Sequence, residues 1–148
     1  MREHALAADD ARAIGGDTDF EIGSITKVFT ALLLTDMAAK GEVALTAASL
    51  LDDSPASFPA GPNQPPYEPQ NYDHEYHGPI TIRYALANSL NVPALKMLNE
   101  VGVQPMIELA RRMGITSLGD PKRYGLTVTL GGGEARLVDL VYSYTPFA

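Results

Sequence analysis

The sequence predicts a mainly α fold, with little or no β-sheet, in a single domain of 148 residues. Three observations carry that expectation. Apolar residues return at steps of three and four in several segments. Gly and Pro stand where such segments stop and start. Alternating strand patterns are nearly missing, Leu126 to Leu130 being the exception. The length suits one core, since domains commonly run to about 100–200 residues.

Taken in order, residues 1–19 form an irregular N-terminal segment with room for one short strand. The best-patterned helix lies within residues 20–45. From Ser24 to Lys40 the positions Val28, Phe29, Leu32, Leu33, Met37 and Ala38 keep helical spacing, and Gly41 follows as a C-terminal glycine should. Residues 54–79 hold seven prolines, which leaves no helix or central strand there. Phe58, Tyr67, Tyr72 and Tyr76 are aromatic anchors that a solvated linker would not need, so this segment is expected to be an ordered loop.

Residues 80–148 read as a helical bundle. Thr81 caps a helix through Asn88, Pro93 lies in the first turn of one that ends at Gly102, and Pro105 begins one that stops at Gly114. After Gly131-Gly132-Gly133, the positions Leu137, Leu140 and Val141 mark a last helix from Glu134 to Tyr144.

Composition excludes several function classes. Eleven basic against 18 acidic side chains give a net charge of -7, which argues against nucleic acid and anionic membrane surfaces. Without cysteine there is no disulfide, thiol nucleophile or thiolate metal site. Apolar runs such as Ala31 to Leu34 fall far short of the ~20 residues of a membrane span. Met1-Arg2-Glu3-His4 opens no secretory signal pattern. His74 and His77 lie three apart, but their proline-rich setting offers no helix to make that a metal site. The run Gly131 to Gly133 lacks a following Lys, so it does not read as a phosphate loop.

Ser24-Ile25-Thr26-Lys27 is the segment with chemical potential. A serine hydroxyl is a weak nucleophile until a base takes its proton. A partly desolvated lysine one helical turn away can be that base, and a helix N-terminus favours the developing oxyanion. By itself the tetrapeptide is a weak signal and reads first as an ordinary helix cap with a surface lysine. Ser89-Leu90-Asn91 likewise suits a helix end followed by a cap.

The surroundings of both motifs resemble known families. Residues 19–45, with Phe20-Glu21-Ile22-Gly23-Ser24-Ile25-Thr26-Lys27-Val28-Phe29-Thr30 at their centre, resemble the nucleophile region of class C β-lactamases and the related esterases and D,D-peptidases. Residues 50–148 resemble the transpeptidase domain of bifunctional penicillin-binding proteins. The likeness is carried by Asn71-Tyr72-Asp73, His77-Gly78-Pro79-Ile80-Thr81, Ser89-Leu90-Asn91-Val92-Pro93 and Leu130-Gly131-Gly132-Gly133-Glu134. Both families share one serine acyl-transferase fold, and Ser89-Leu90-Asn91 is similar to its second motif.

The resemblance implies that Ser24 is acylated, that Lys27 is its base, that Ser89 relays a proton to the leaving amine, and that Asn91 binds substrate and lysine. It implies a serine acyl-transfer hydrolase acting on β-lactams or simple esters. A D,D-transpeptidase fragment acting on the peptidoglycan stem peptide, and a catalytically silent assembly module, stand as alternatives. No metal or organic cofactor is implied, and the family's setting is the cell envelope. The 148 residues contain no Lys-Thr-Gly or Lys-Ser-Gly, the family's third motif, so the expected architecture is the helical lobe alone. The apolar face such a lobe would expose predicts a homo-oligomer. The change of resemblance between Val43 and Leu50 suggests a chimera.

Overall fold

The structure, a computed structural model, describes residues 18–59 and 65–148. The expectation for the segment before Thr18 lies outside them. A strand, β1 (Asp19–Glu21), runs into a 3-10 turn at Gly23–Thr26 and then into helix α1 (Lys27–Ala39). The expected 24–40 helix is thus tightened over its first turn, so that Ser24 lies on a 3-10 turn and Lys27 opens the α-helix. At the other end Gly41 takes a left-handed φ of 74°, and the N–H groups of Gly41 and Glu42 bond back to the carbonyls of Ala38 and Met37.

Strand β2 (Leu50–Asp53) pairs antiparallel with β3 (Gly78–Thr81), Leu50 opposite Thr81 and Asp53 opposite Gly78. Strand β4 (Glu134–Arg136) pairs antiparallel with β1. The expectation of little or no sheet therefore holds only in part: among the described residues helices dominate, and two two-stranded sheets accompany them. Pro79 is tolerated because a two-stranded sheet has only edges. Between β2 and β3 the proline-rich segment is pinned by a bridge between Phe58 and Tyr67. Two of the four expected anchors do not serve, since Tyr72 is 86% exposed and Tyr76 lies on the surface. Buried polar groups, Asn71 and Asp53, replace them.

Helix α2 (Ile82–Ala87) starts where Thr81 accepts a bond from the Tyr84 N–H, as expected. Helices α3 (Asn91–Val101) and α4 (Val103–Arg112) follow, separated by Gly102 at φ 90°. Phe29, Leu33 and Leu34 of α1 join Met97, Leu98 and Val101 of α3 and Met106, Ile107 and Ala110 of α4 in one core. Full burial of such a side chain contributes about 1.5–3 kcal/mol, and Ile115, Leu118, Val128 and Ala135 extend the same core beyond the three helices.

Two expectations about the C-terminal third are corrected. Leu126–Leu130 is a 3-10 turn rather than a strand. The chain doubles back at Gly131, and the Gly131 and Gly132 N–H groups bond to Val128 and Thr127, which leaves no room for extension. The last helix does not begin at Glu134: that residue opens β4, and α5 spans Leu137–Ser143. Leu137 and Val141 do not pack inward, as their spacing predicts, but lie exposed, while Asp139 and Ser143 are buried.

Candidate active site

The turn carrying Ser24 is held from behind. Gly23 has a left-handed φ of 54°. Thr26 Oγ1 lies 2.6 Å from the Gly23 carbonyl oxygen and 2.9 Å from that of Thr129, so its single proton serves both. Thr30 and Thr129 join hydroxyls at 2.9 Å. Gly131 backs onto the same place: a Cβ there would stand 2.3 Å from the Gly23 Cα. The glycine run that does not read as a phosphate loop supplies this close approach.

Ser89 lies between α2 and α3 with a left-handed φ of 53°, rare for a residue with a Cβ. The strain of such a conformation is of order 1–3 kcal/mol and persists only where its surroundings hold it. Here the Ser89 and Leu90 N–H groups bond back to Leu86 and Ala85 at 3.0 Å. The result is that both the carbonyl and the hydroxyl of Ser89 face Lys27.

All four residues selected from sequence meet at one ammonium group. Lys27 Nζ lies 3.0 Å from Ser24 Oγ, 3.0 Å from Ser89 Oγ, 2.6 Å from the Ser89 carbonyl and 2.8 Å from Asn91 Oδ1. The Asn91 amide is oriented by its own nitrogen, which donates to the Gln70 carbonyl at 2.9 Å and leaves its second N–H free for another partner. The Ser89 carbonyl and Asn91 Oδ1 can only accept, and they occupy two N–H groups of the lysine. What remains faces two hydroxyls, each able to donate or accept. A neutral Lys27 can therefore turn its lone pair to Ser24 without losing a fixed bond.

Burial makes that neutral form accessible. Lys27 is 3% exposed, and desolvation lowers its pKa from the usual 10.5 to about 8. Among the described residues no carboxylate is hydrogen-bonded to it to oppose the shift.

Sequence reasoning missed the support for this corner. Helix α3 has no cap of its own, because Leu90 precedes it. Asn71 of the proline-rich loop accepts from the Asn91 and Val92 N–H groups at 2.9 and 3.2 Å. The only sequence signal was Asn71 in a segment noted for resemblance. His77 and His74 do not converge: His77 binds Asp53 at 2.7 Å, His74 binds Gln70, and no metal cluster forms among the described residues.

No family model matches the chain. Penicillin-binding protein 1A of Neisseria meningitidis is 31% identical over 161 aligned residues, covering 100% of this chain and 20% of that protein. Penicillin-binding protein 1C of Escherichia coli is 35% identical over 127 residues, covering 85% of this chain and 15% of that protein. The crystal structure of penicillin-binding protein 1A from Haemophilus influenzae superposes with a TM-score of 0.74 at 25% identity, covering 88% of this chain and 18% of that one. The chain belongs to the penicillin-binding protein and serine β-lactamase superfamily. It spans about a fifth or less of the length of these relatives. The Neisseria alignment includes residues on both sides of Val43 to Leu50, so a second parent family is not needed to account for residues 19–45.

Proposed function

We propose that this chain carries out serine acyl transfer through an acyl-enzyme on Ser24, with β-lactams or simple esters as substrates. The observation that carries the reading is the convergence of Ser24, Ser89 and Asn91 on the buried amine of Lys27. Neutral Lys27 takes the Ser24 proton as Oγ attacks the carbonyl carbon. The Oγ–C bond forms, the carbonyl electrons move to oxygen, and the bond to the leaving nitrogen or oxygen then breaks. Lys27 returns the proton to the leaving group through the Ser89 hydroxyl, and water later releases the acyl group. At pH 7 a lysine of pKa about 8 is roughly a tenth neutral, about 300-fold more than an ordinary one.

Asn91 offers its remaining amide N–H to the substrate. The relatives' name, penicillin-binding protein, favours a second reading within the same chemistry, in which the acyl donor is a peptidoglycan stem peptide and the acceptor an amine. The architecture that suits either reading is the helical lobe of the fold, in one domain.

Mass spectrometry after incubation with a labelled penicillin tests the proposal. An adduct on Ser24, absent from Ser24→Ala, supports it. No adduct, or equal labelling of Ser24→Ala, refutes it and leaves the catalytically silent assembly module as the better account.

A further inference from the structure

We infer that Asn71, locked by the buried carboxylate of Asp53, is a positioning residue that fixes Asn91 and the adjoining Ser89 on Lys27. The inference deepens the acyl-transfer reading and rests on the same site.

Asn71 is almost fully buried, and every polar atom of its amide is used. Its oxygen accepts from the first two N–H groups of α3, those of Asn91 and Val92. Its nitrogen lies 2.9 Å from both oxygens of Asp53 and 2.9 Å from the Glu75 carbonyl, so one N–H forks across the carboxylate and the other reaches the loop. A flipped amide would set its nitrogen against two N–H donors and its oxygen against a carboxylate and a carbonyl. The orientation is therefore forced. Asp53 has no solvent contact and is held in turn by the His77 backbone N–H at 3.0 Å and its ring nitrogen at 2.7 Å.

The neighbouring residue completes the grip. The Gln70 carbonyl accepts from the Asn91 side-chain nitrogen, so consecutive loop residues fix the backbone of Asn91 and its amide together. Asn91 Oδ1 is left aimed at Lys27, two residues after the left-handed Ser89, whose carbonyl and hydroxyl reach the same amine. An ordinary helix cap would stabilise α3 and do no more. A positioning residue also sets how dry and how well partnered Lys27 is, so its removal must change the titration of that lysine.

The test measures the titration midpoint of Lys27 by the 13Cε shift of labelled lysine, assigned with Lys27→Arg, in wild type, Asn71→Ala and the exchange variant Asp53→Asn with Asn71→Asp. In the exchange, the carboxylate at 71 still accepts from α3 and from the amide at 53, but it sets an oxygen against the Glu75 carbonyl, so the restoration is partial. In folded Asn71→Ala the loss of the Asn91 Oδ1 acceptor lowers the midpoint and the entry of water raises it. Because burial is what depresses the Lys27 pKa, hydration dominates and the midpoint is expected to rise by at least one unit. Labelling of Ser24 by penicillin at pH 7 then falls about tenfold, and the exchange variant lies between it and wild type. A folded Asn71→Ala with the wild-type midpoint overturns the inference.

If Asn71→Ala does not fold, the milder Asn71→Ser decides by the same readout: a raised Lys27 midpoint supports the grip, and a wild-type midpoint overturns it. Failure of the wild type to label with penicillin would sink the acyl-transfer reading, whereas the Lys27 midpoint would still decide the role of Asn71.

Discussion

Lys27 is costly to the fold and useful to the site. Its native pKa of about 8 lies below the 10.5 of the unfolded chain, so the folded protein holds fewer protons between those values. Stability must rise with pH across that window, and below pH 8 the buried ammonium costs about 3 kcal/mol by proton linkage. Urea denaturation of wild type and Lys27→Met from pH 7.5 to 10.5 should show the wild type gaining on the variant by about that amount, and a constant difference would mean that Lys27 titrates normally. Penicillin labelling should vanish in Lys27→Met throughout.

His77 works with the opposite sign. Its hydrogen bond to Asp53, aided by Asp73 and Glu75, outweighs burial and raises its pKa above 6.5. The stability it adds is complete below pH 6.5 and is lost as pH climbs through the raised value. Wild type should therefore lose more stability than His77→Asn between pH 6 and 8, as measured by urea midpoints.

At the scale of elements, helix signals were legible and polar scaffolding was not. Thr81, Pro93, Gly102 and Gly41 mark helix ends because capping and φ preferences are local properties of those residues. Ser24, Lys27, Ser89 and Asn91 stood out because their motifs are short and chemically unusual. The partners Asn71, Asp53, Thr26 and Thr129 are drawn from distant positions, and no periodicity announces a buried hydrogen bond between residues 103 apart. Strands β2 and β3 were missed for a similar reason, since pairing across a proline-rich loop leaves no alternation in either strand. The Leu126–Leu130 segment misled because its alternation is also compatible with a 3-10 turn once Gly131 reverses the chain.

The close approach of Gly131 to Gly23 gives a test at this scale. Gly131→Ala meets both a left-handed φ of 101° and a Cβ 2.3 Å from the Gly23 Cα, so the turn bearing Ser24 must move. A loss of about 2–4 kcal/mol and at least a tenfold fall in penicillin labelling are expected. Gly125→Ala is the control, because nothing lies within 4 Å of the Cβ it adds and its φ of -100° suits alanine. Equal effects of the two substitutions, in denaturation and labelling, would remove the special role of Gly131.

For the whole molecule, the notable feature is that α5 turns most of its apolar residues outward, while Leu140 packs against the core. Asp139 and Ser143 face inward, and Asp139 bonds to the Thr116 backbone and hydroxyl and to Arg136. Burial alone would push the Asp139 pKa up, but these Thr116 and Arg136 partners hold it below the usual carboxylate range. The helix is thus anchored by a charged network, and Leu137, Val138, Val141 and Tyr142 stand 58–64% exposed on its outer side. Phe147, 57% exposed, adds to them. An apolar face of this kind on an anchored helix suits an interface better than a solvated surface. With this chain alone in solution the available cover is a second copy. The net charge of -7 opposes that contact, so association should tighten as salt screens it. Sedimentation velocity should show mass rising with protein concentration, more at 0.5 M than at 0.05 M salt, and Val141→Lys should abolish the rise while leaving Ser24 labelling in place. A monomer in all conditions, or association unaffected by Val141→Lys, would assign this face no role between copies.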